Sequence, residues 1–102
     1  MDKEKITAIV IQQVEQLNDT FSEAQKIEVN ESTILFGNGS RIDSLSLVSV
    51  IVDLEMVFSS EYGYNISLTD DRAMTREKSP FDSILSLSEY IDEIISELDQ
   101  PK

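Results

Sequence analysis

The run Asp43-Ser44-Leu45-Ser46-Leu47-Val48-Ser49-Val50-Ile51-Val52-Asp53-Leu54-Glu55-Met56-Val57-Phe58 decides the fold. At about 100° per residue, Leu47, Val50, Ile51, Leu54 and Phe58 fall on one narrow face, the stripe by which a helix packs into a core. Asp43 can cap the free N–H groups of the first turn, and Gly63 in Tyr62-Gly63-Tyr64 suits a left-handed stop. A helix from Ser44 to about Phe58, or a turn beyond, is therefore expected.

The rest of this helix is less ordinary. Leu45, Val48, Val52 and Met56 make a second apolar stripe, and only Ser46, Ser49 and Asp53 form a polar wedge. Such a helix is either buried on both sides or offers a surface to something else. Two-sided burial is hard to arrange in 102 residues, so the second stripe reads as a recognition or cargo surface. The competing reading is that the loop before it lies over the stripe.

Upstream, Ile6, Ile9, Val10, Val14 and Leu17 recur at three- and four-residue steps, continuing to Phe21, which predicts a first helix from Asp2 to about Leu17. Between roughly Asn18 and Ile42 the period fails. Asn30-Glu31-Ser32-Thr33 and Gly37-Asn38-Gly39-Ser40 favour turns, so a long loop is expected, with Ile27, Val29, Ile34, Leu35 and Phe36 available to pin it. A weak helix near Ser22 to Val29 is the alternative.

Downstream, Ser67-Leu68-Thr69-Asp70 has the capping-box pattern and predicts a short helix from about Thr69 to Arg76. Ser79-Pro80-Phe81-Asp82 suggests one more helical turn. A last helix is expected from Ser86 or Ser88, with Glu89 as capping partner, burying Leu87, Ile91, Ile94, Ile95 and Leu98. Nothing reads as a strand pair, repeat or linker. The expectation is one all-α domain over residues 1–102, with three main helices, one or two short ones and a long first loop.

Composition narrows the chemistry. Twenty acidic against eight basic side chains, a net charge of −12, argue against nucleic acid, which needs clustered Lys and Arg. Without His or Cys there is no Ser-His or Cys-His nucleophile pair, no zinc site of the usual ligands and no disulfide. General acid–base work would rest on carboxylates and lysines, and Asp70-Asp71 and Asp92-Glu93 read more simply as caps and solvated faces. No segment has the ligand pattern of an EF-hand. No enzyme and no metal site is expected. Met1-Asp2-Lys3-Glu4-Lys5 opens a mixed-charge segment unlike a secretory signal, and no run approaches a membrane span, so a cytoplasmic, monomeric protein without membrane insertion is expected.

The most informative position is Ser44. As the first residue of a capped helix it lies where unpaired N–H groups and the helix dipole favour a phosphate. Asp followed by Ser is also an ordinary helix start. Its surroundings say more: Leu35-Phe36-Gly37 and Ile42-Asp43-Ser44-Leu45-Ser46-Leu47-Val48, after an amphipathic helix and a long loop, resemble the acyl carrier proteins. Asn65-Ile66-Ser67-Leu68-Thr69-Asp70-Asp71 and Phe81-Asp82-Ser83-Ile84 through Leu87-Ser88-Glu89-Tyr90-Ile91 extend the resemblance over nearly the whole chain.

The resemblance implies a small acyl-carrier-like bundle in which Ser44 is esterified by 4'-phosphopantetheine from coenzyme A, with Asp43 as cap and transferase contact. The prosthetic thiol would carry acyl groups as thioesters, which suits a chain without cysteine. Leu45, Val48, Val52, Glu55 and Met56 would then meet partners: a phosphopantetheinyl transferase, and the acyl-activating or acyl-transferring enzymes and synthases of fatty-acid, polyketide or related biosynthesis. Three departures qualify the likeness. The approach to the motif is extended to Gly37-Asn38-Gly39-Ser40-Arg41, with Arg41 where the family often has glycine. Between Phe58 and Ile66 the chain is about four residues longer, roughly a helical turn, which would let Tyr62 extend the core stripe. Residues 44–58 hold only Asp53 and Glu55 as acids, which points to a specialised carrier with a more apolar partner. Peptidyl carriers fit poorly, since Arg41-Ile42-Asp43 lacks their glycines. An aminoacyl carrier of the D-alanyl type and an unmodified carrier-fold binding module stay open.

Overall fold

The computed structural model describes residues 2–24, 26–36, 42–68 and 79–99. Three helices order them: α1 (Lys3–Asn18), α2 (Ser44–Tyr62) and α3 (Ile84–Asp99), with α1 packed against both others. Among the described residues there is no strand, only one isolated antiparallel bridge between Ile34 and Ser83.

One core joins the three helices, because each turns its periodic stripe inward. Ile6, Ile9, Val10 and Val14 of α1 meet Leu47, Val50, Ile51, Leu54 and Phe58 of α2, and Ile84, Leu87, Tyr90, Ile91 and Ile95 of α3. Fully burying side chains of this size stabilises by roughly 1.5–3 kcal/mol each. Two of the polar groups drawn in are bonded locally: Thr7 donates to the Lys3 carbonyl at 2.9 Å and Ser88 to that of Ile84 at 2.7 Å. Among the described residues no buried side-chain nitrogen or oxygen lacks a partner.

The bounds of α2 follow its sequence signals. Asp43 is the N-cap, and Gly63 takes φ +74°, letting the Tyr64 N–H return to the Phe58 carbonyl at 2.8 Å. Tyr62 does extend the inner stripe: its ring centroid lies 6.0 Å from that of Phe58, with Lys5 Nζ of α1 5.1 Å above it.

The start of α3 differs from the expectation of Ser86 or Ser88. It begins at Ile84, and the Ser83 hydroxyl accepts the Ser86 N–H at 3.1 Å, while Glu89 faces Lys3 at 3.7 Å instead of capping. The reason is tertiary: Ile84 N–H donates to the Thr33 carbonyl and Leu85 N–H to that of Glu31, both at 3.0 Å, so distant chain satisfies the first-turn donors. Ser79 to Asp82 forms a tight turn closed by Asp82 N–H on the Ser79 carbonyl at 3.3 Å, not a helical turn. Leu98 is exposed, since it lies past the last buried residue of α3, and Ile94 is half-buried.

Between α1 and α2 the described residues run in turns and extended segments. No helix forms among those of 22–29; one bond joins Lys26 N–H to the Ser22 carbonyl. Asn18 clasps this segment, donating to the Ile27 carbonyl and accepting its N–H, each at 2.9 Å. At the Ile34–Ser83 bridge the alternation of an extended chain turns Leu35 wholly inward and leaves Ile34 and Phe36 exposed, so Leu35 is the main pin. Ile27 and Val29 pack partly on the core. The helix expected at Thr69–Arg76 lies outside the described residues.

Candidate functional site

Ile42, Asp43 and Ser44 bring the chain into α2. Ile42 is buried and anchors the approach, Asp43 is extended at φ −79°, ψ 168°, and Ser44 is the first helical residue. One Asp43 carboxylate oxygen accepts the Ser46 N–H at 2.7 Å, at the positive end of the α2 dipole. Hydrogen bonds from the Ser46 N–H and then the Ser46 hydroxyl hold the Asp43 carboxyl below its ordinary value, against a small opposing cost of desolvation.

The expected outer stripe stands open from this end of the helix onward. Leu45 is 84% exposed, Val48 54%, Val52 46% and Met56 62%, whereas Leu47, Val50, Ile51, Leu54 and Phe58 are buried. The alternative that a loop covers the stripe does not describe these side chains. Along the axis, Leu45 to Met56 spans about 16 Å at 1.5 Å per residue. Beside its far end, between Val52, Met56 and Ser59 on one bank and Asn65 and Ile66 on the other, lies an open groove of about 400 Å³.

Glu55, expected at the partner surface, also has a bond within the chain. Its carboxylate accepts the Leu68 N–H at 2.9 Å and so pins the chain after α2 across the helix. No sequence signal marks this bond, because it joins residues thirteen apart through a segment without periodicity. A second feature not anticipated is the exposed group of Ile34, Phe36 and Leu85 around the bridge. Ile34-Leu35-Phe36 is apolar throughout, so its sequence has no alternation from which the inward side could be read.

Among the described residues no group of three or more acidic side chains is placed to hold a metal ion, and no helix is long and apolar enough to cross a membrane. No protein family, curated protein or solved structure matches the chain.

Proposed function

We propose that the chain is an acyl carrier protein whose Ser44 hydroxyl is esterified by 4'-phosphopantetheine and whose prosthetic thiol carries acyl intermediates between partner enzymes. The observation that carries this reading is a capped helix start at Asp43-Ser44 from which an exposed apolar stripe, Leu45 to Met56, leads away. A phosphodiester on the first residue of α2 meets the positive end of the dipole, and an enzyme working on the attached arm has a contact surface beside it. Asp43 sets the helix start, and Ser44 is a substrate of the transferase, not a nucleophile of the protein's own. The chain supplies no thiol of its own, having no cysteine. The small-bundle reading of the fold, cytoplasmic residence and a monomeric state belong to the same proposal.

Coexpression with a broad-specificity phosphopantetheinyl transferase and intact-mass measurement tests it. One phosphopantetheine group, lost in Ser44→Ala, is the expected result; an unmodified chain, or modification that persists in Ser44→Ala, sinks it. The exposed stripe also favours a second reading, an unmodified binding module, which predicts full partner binding and function by Ser44→Ala. Thioester trapping followed by mass measurement distinguishes acyl from aminoacyl cargo.

A further inference from the structure

Away from the apolar ridge that Leu45, Val48, Val52 and Met56 form on α2, the large apolar side chains exposed among the described residues are Ile34, Phe36, Leu85 and Leu98. Ile34, Phe36 and Leu85 gather where the chain before α2 runs beside the start of α3, with Leu85 N–H on the Glu31 carbonyl at 3.0 Å. The backbone at this place has an open edge. Leu35 N–H donates to the Asp82 carbonyl at 3.1 Å and Ile84 N–H to that of Thr33 at 3.0 Å, so the bonds flank the antiparallel pair Ile34–Ser83 without involving either member. In such a pair each member's N–H and C=O point to the far side of its own strand. Ile34 thus offers a donor and an acceptor along the outer edge, and neither has a hydrogen bond among the described residues. Ser32 to Phe36 carries no charge and no proline to guard it.

What fits an edge of this kind is an extended chain, whose own N–H and C=O exchange two bonds with those of Ile34. With Leu35 turned into the core, Ile34 and Phe36 share the outer face, and alternate side chains of an added strand lie beside them. Charge selects among extended chains. Residues 27–36 and 79–88 contain Glu28, Glu31 and Asp82 and no Lys or Arg, so a second copy would set these acids against their own equivalents, whereas a basic strand meets them with opposite charge. We propose that the edge at Ile34 docks an extended segment of a partner protein in which Lys or Arg alternates with aliphatic residues. The segment pairs outside residues 33–35 and covers Ile34 and Phe36, and its docking is independent of any group on Ser44. Two backbone bonds and a few side chains make a small contact, so the complex is weak and short-lived.

The test titrates the end-capped peptide Lys-Val-Lys-Val-Lys into the isotope-labelled full chain in about 150 mM NaCl, where the Debye length is about 8 Å and diffuse attraction to the acidic surface is screened. Amide resonances and amide hydrogen exchange are the readouts. The Ile34 amide is expected to shift on binding and to exchange about fivefold more slowly or better in the complex. Kd is expected to rise about tenfold or more for the same peptide with every amide methylated, for Glu-Val-Glu-Val-Glu, and for the Phe36→Ser protein, whose fold circular dichroism checks. Absence of binding, equal binding of the acidic peptide, or shifts confined to α3 with Ile34 unmoved overturns the proposal. So does self-association in sedimentation equilibrium that Phe36→Ser abolishes, which makes a second copy the occupant.

Discussion

Helices α2 and α3 solve the same packing problem and face solvent differently. Each buries one stripe against α1: Leu47, Val50, Ile51, Leu54 and Phe58 on the first, Ile84, Leu87, Tyr90, Ile91 and Ile95 on the second. Outside, α3 shows carboxylates while α2 shows Leu45, Val48, Val52 and Met56. Stability asks only for the inner stripe, so an outer face is free to be charged, as on α3, or apolar, as on α2.

The sharpest way to break the comparison is to alter both faces of α2. Phe58 is wholly buried, and Phe58→Ala should cost about 3–5 kcal/mol in urea unfolding, a large part of the 5–15 kcal/mol that roughly bounds small domains. Val48→Ser, at an exposed position with similar helix propensity, should cost about 0.5 kcal/mol or less. A penalty above about 2 kcal/mol for Val48→Ser would show the ridge to be covered, and the two helices alike after all.

Next in size is the end of α2. Gly63 stands at φ +74° with open space around the position of a Cβ, so Gly63→Ala meets no clash and isolates the backbone cost of the left-handed conformation, about 1–2 kcal/mol. Gly63→Asn should cost less, because asparagine tolerates that region. Equal losses for both would mean that something other than backbone conformation sets the penalty.

Both ends of α2 were legible because their causes are local: a carboxylate three residues before the N–H it caps, and a glycine where the chain must turn left-handed. The start of α3 was not, because its first N–H groups bond to Glu31 and Thr33, some fifty residues earlier. Ser86 and Ser88 look like caps in sequence, but Ser88 is buried and bonds back to Ile84, an option open to any serine inside a helix. At the candidate site, the open face of α2 and the capping role of Asp43 could be read from spacing, whereas Glu55 could not, since its partner is a backbone N–H in an aperiodic segment.

A smaller effect tests the cap through pH. The Asp43 carboxyl has its folded pKa lowered, so its contribution to stability is complete above its unfolded value of 3.8 and is lost as pH falls through the lower folded value. Asp43→Asn keeps an oxygen for the Ser46 N–H but does not titrate there. Urea midpoints of the two proteins should therefore converge as pH falls from about 4 to 2, after allowing for the carboxylates they share. A constant difference across that range would show that the Asp43 charge plays no part in holding the helix start.

The smallest expected effect lies where the exit from α2 meets the end of α3. The Tyr64 hydroxyl lies 3.0 Å from both carboxylate oxygens of Asp99 and donates to that group, which, with desolvation and the charge of Asp99, raises the phenol above its ordinary 10.0. A raised folded pKa means that the contribution is complete below the unfolded value and fades as pH climbs through the folded one. Near neutral pH, Tyr64→Phe should barely move the urea midpoint, because the pair is exposed and water competes for both groups. Its signature is spectroscopic: Asp99→Asn should bring the phenolate absorbance of Tyr64 in at lower pH, with Tyr64→Phe identifying that component among the three tyrosines. Acidity at the end of α3 would then have one defined contact with the chain that leaves α2. An unmoved titration would show that Asp99 does not hold the phenol of Tyr64, and that the end of α3 makes no such contact with the chain leaving α2.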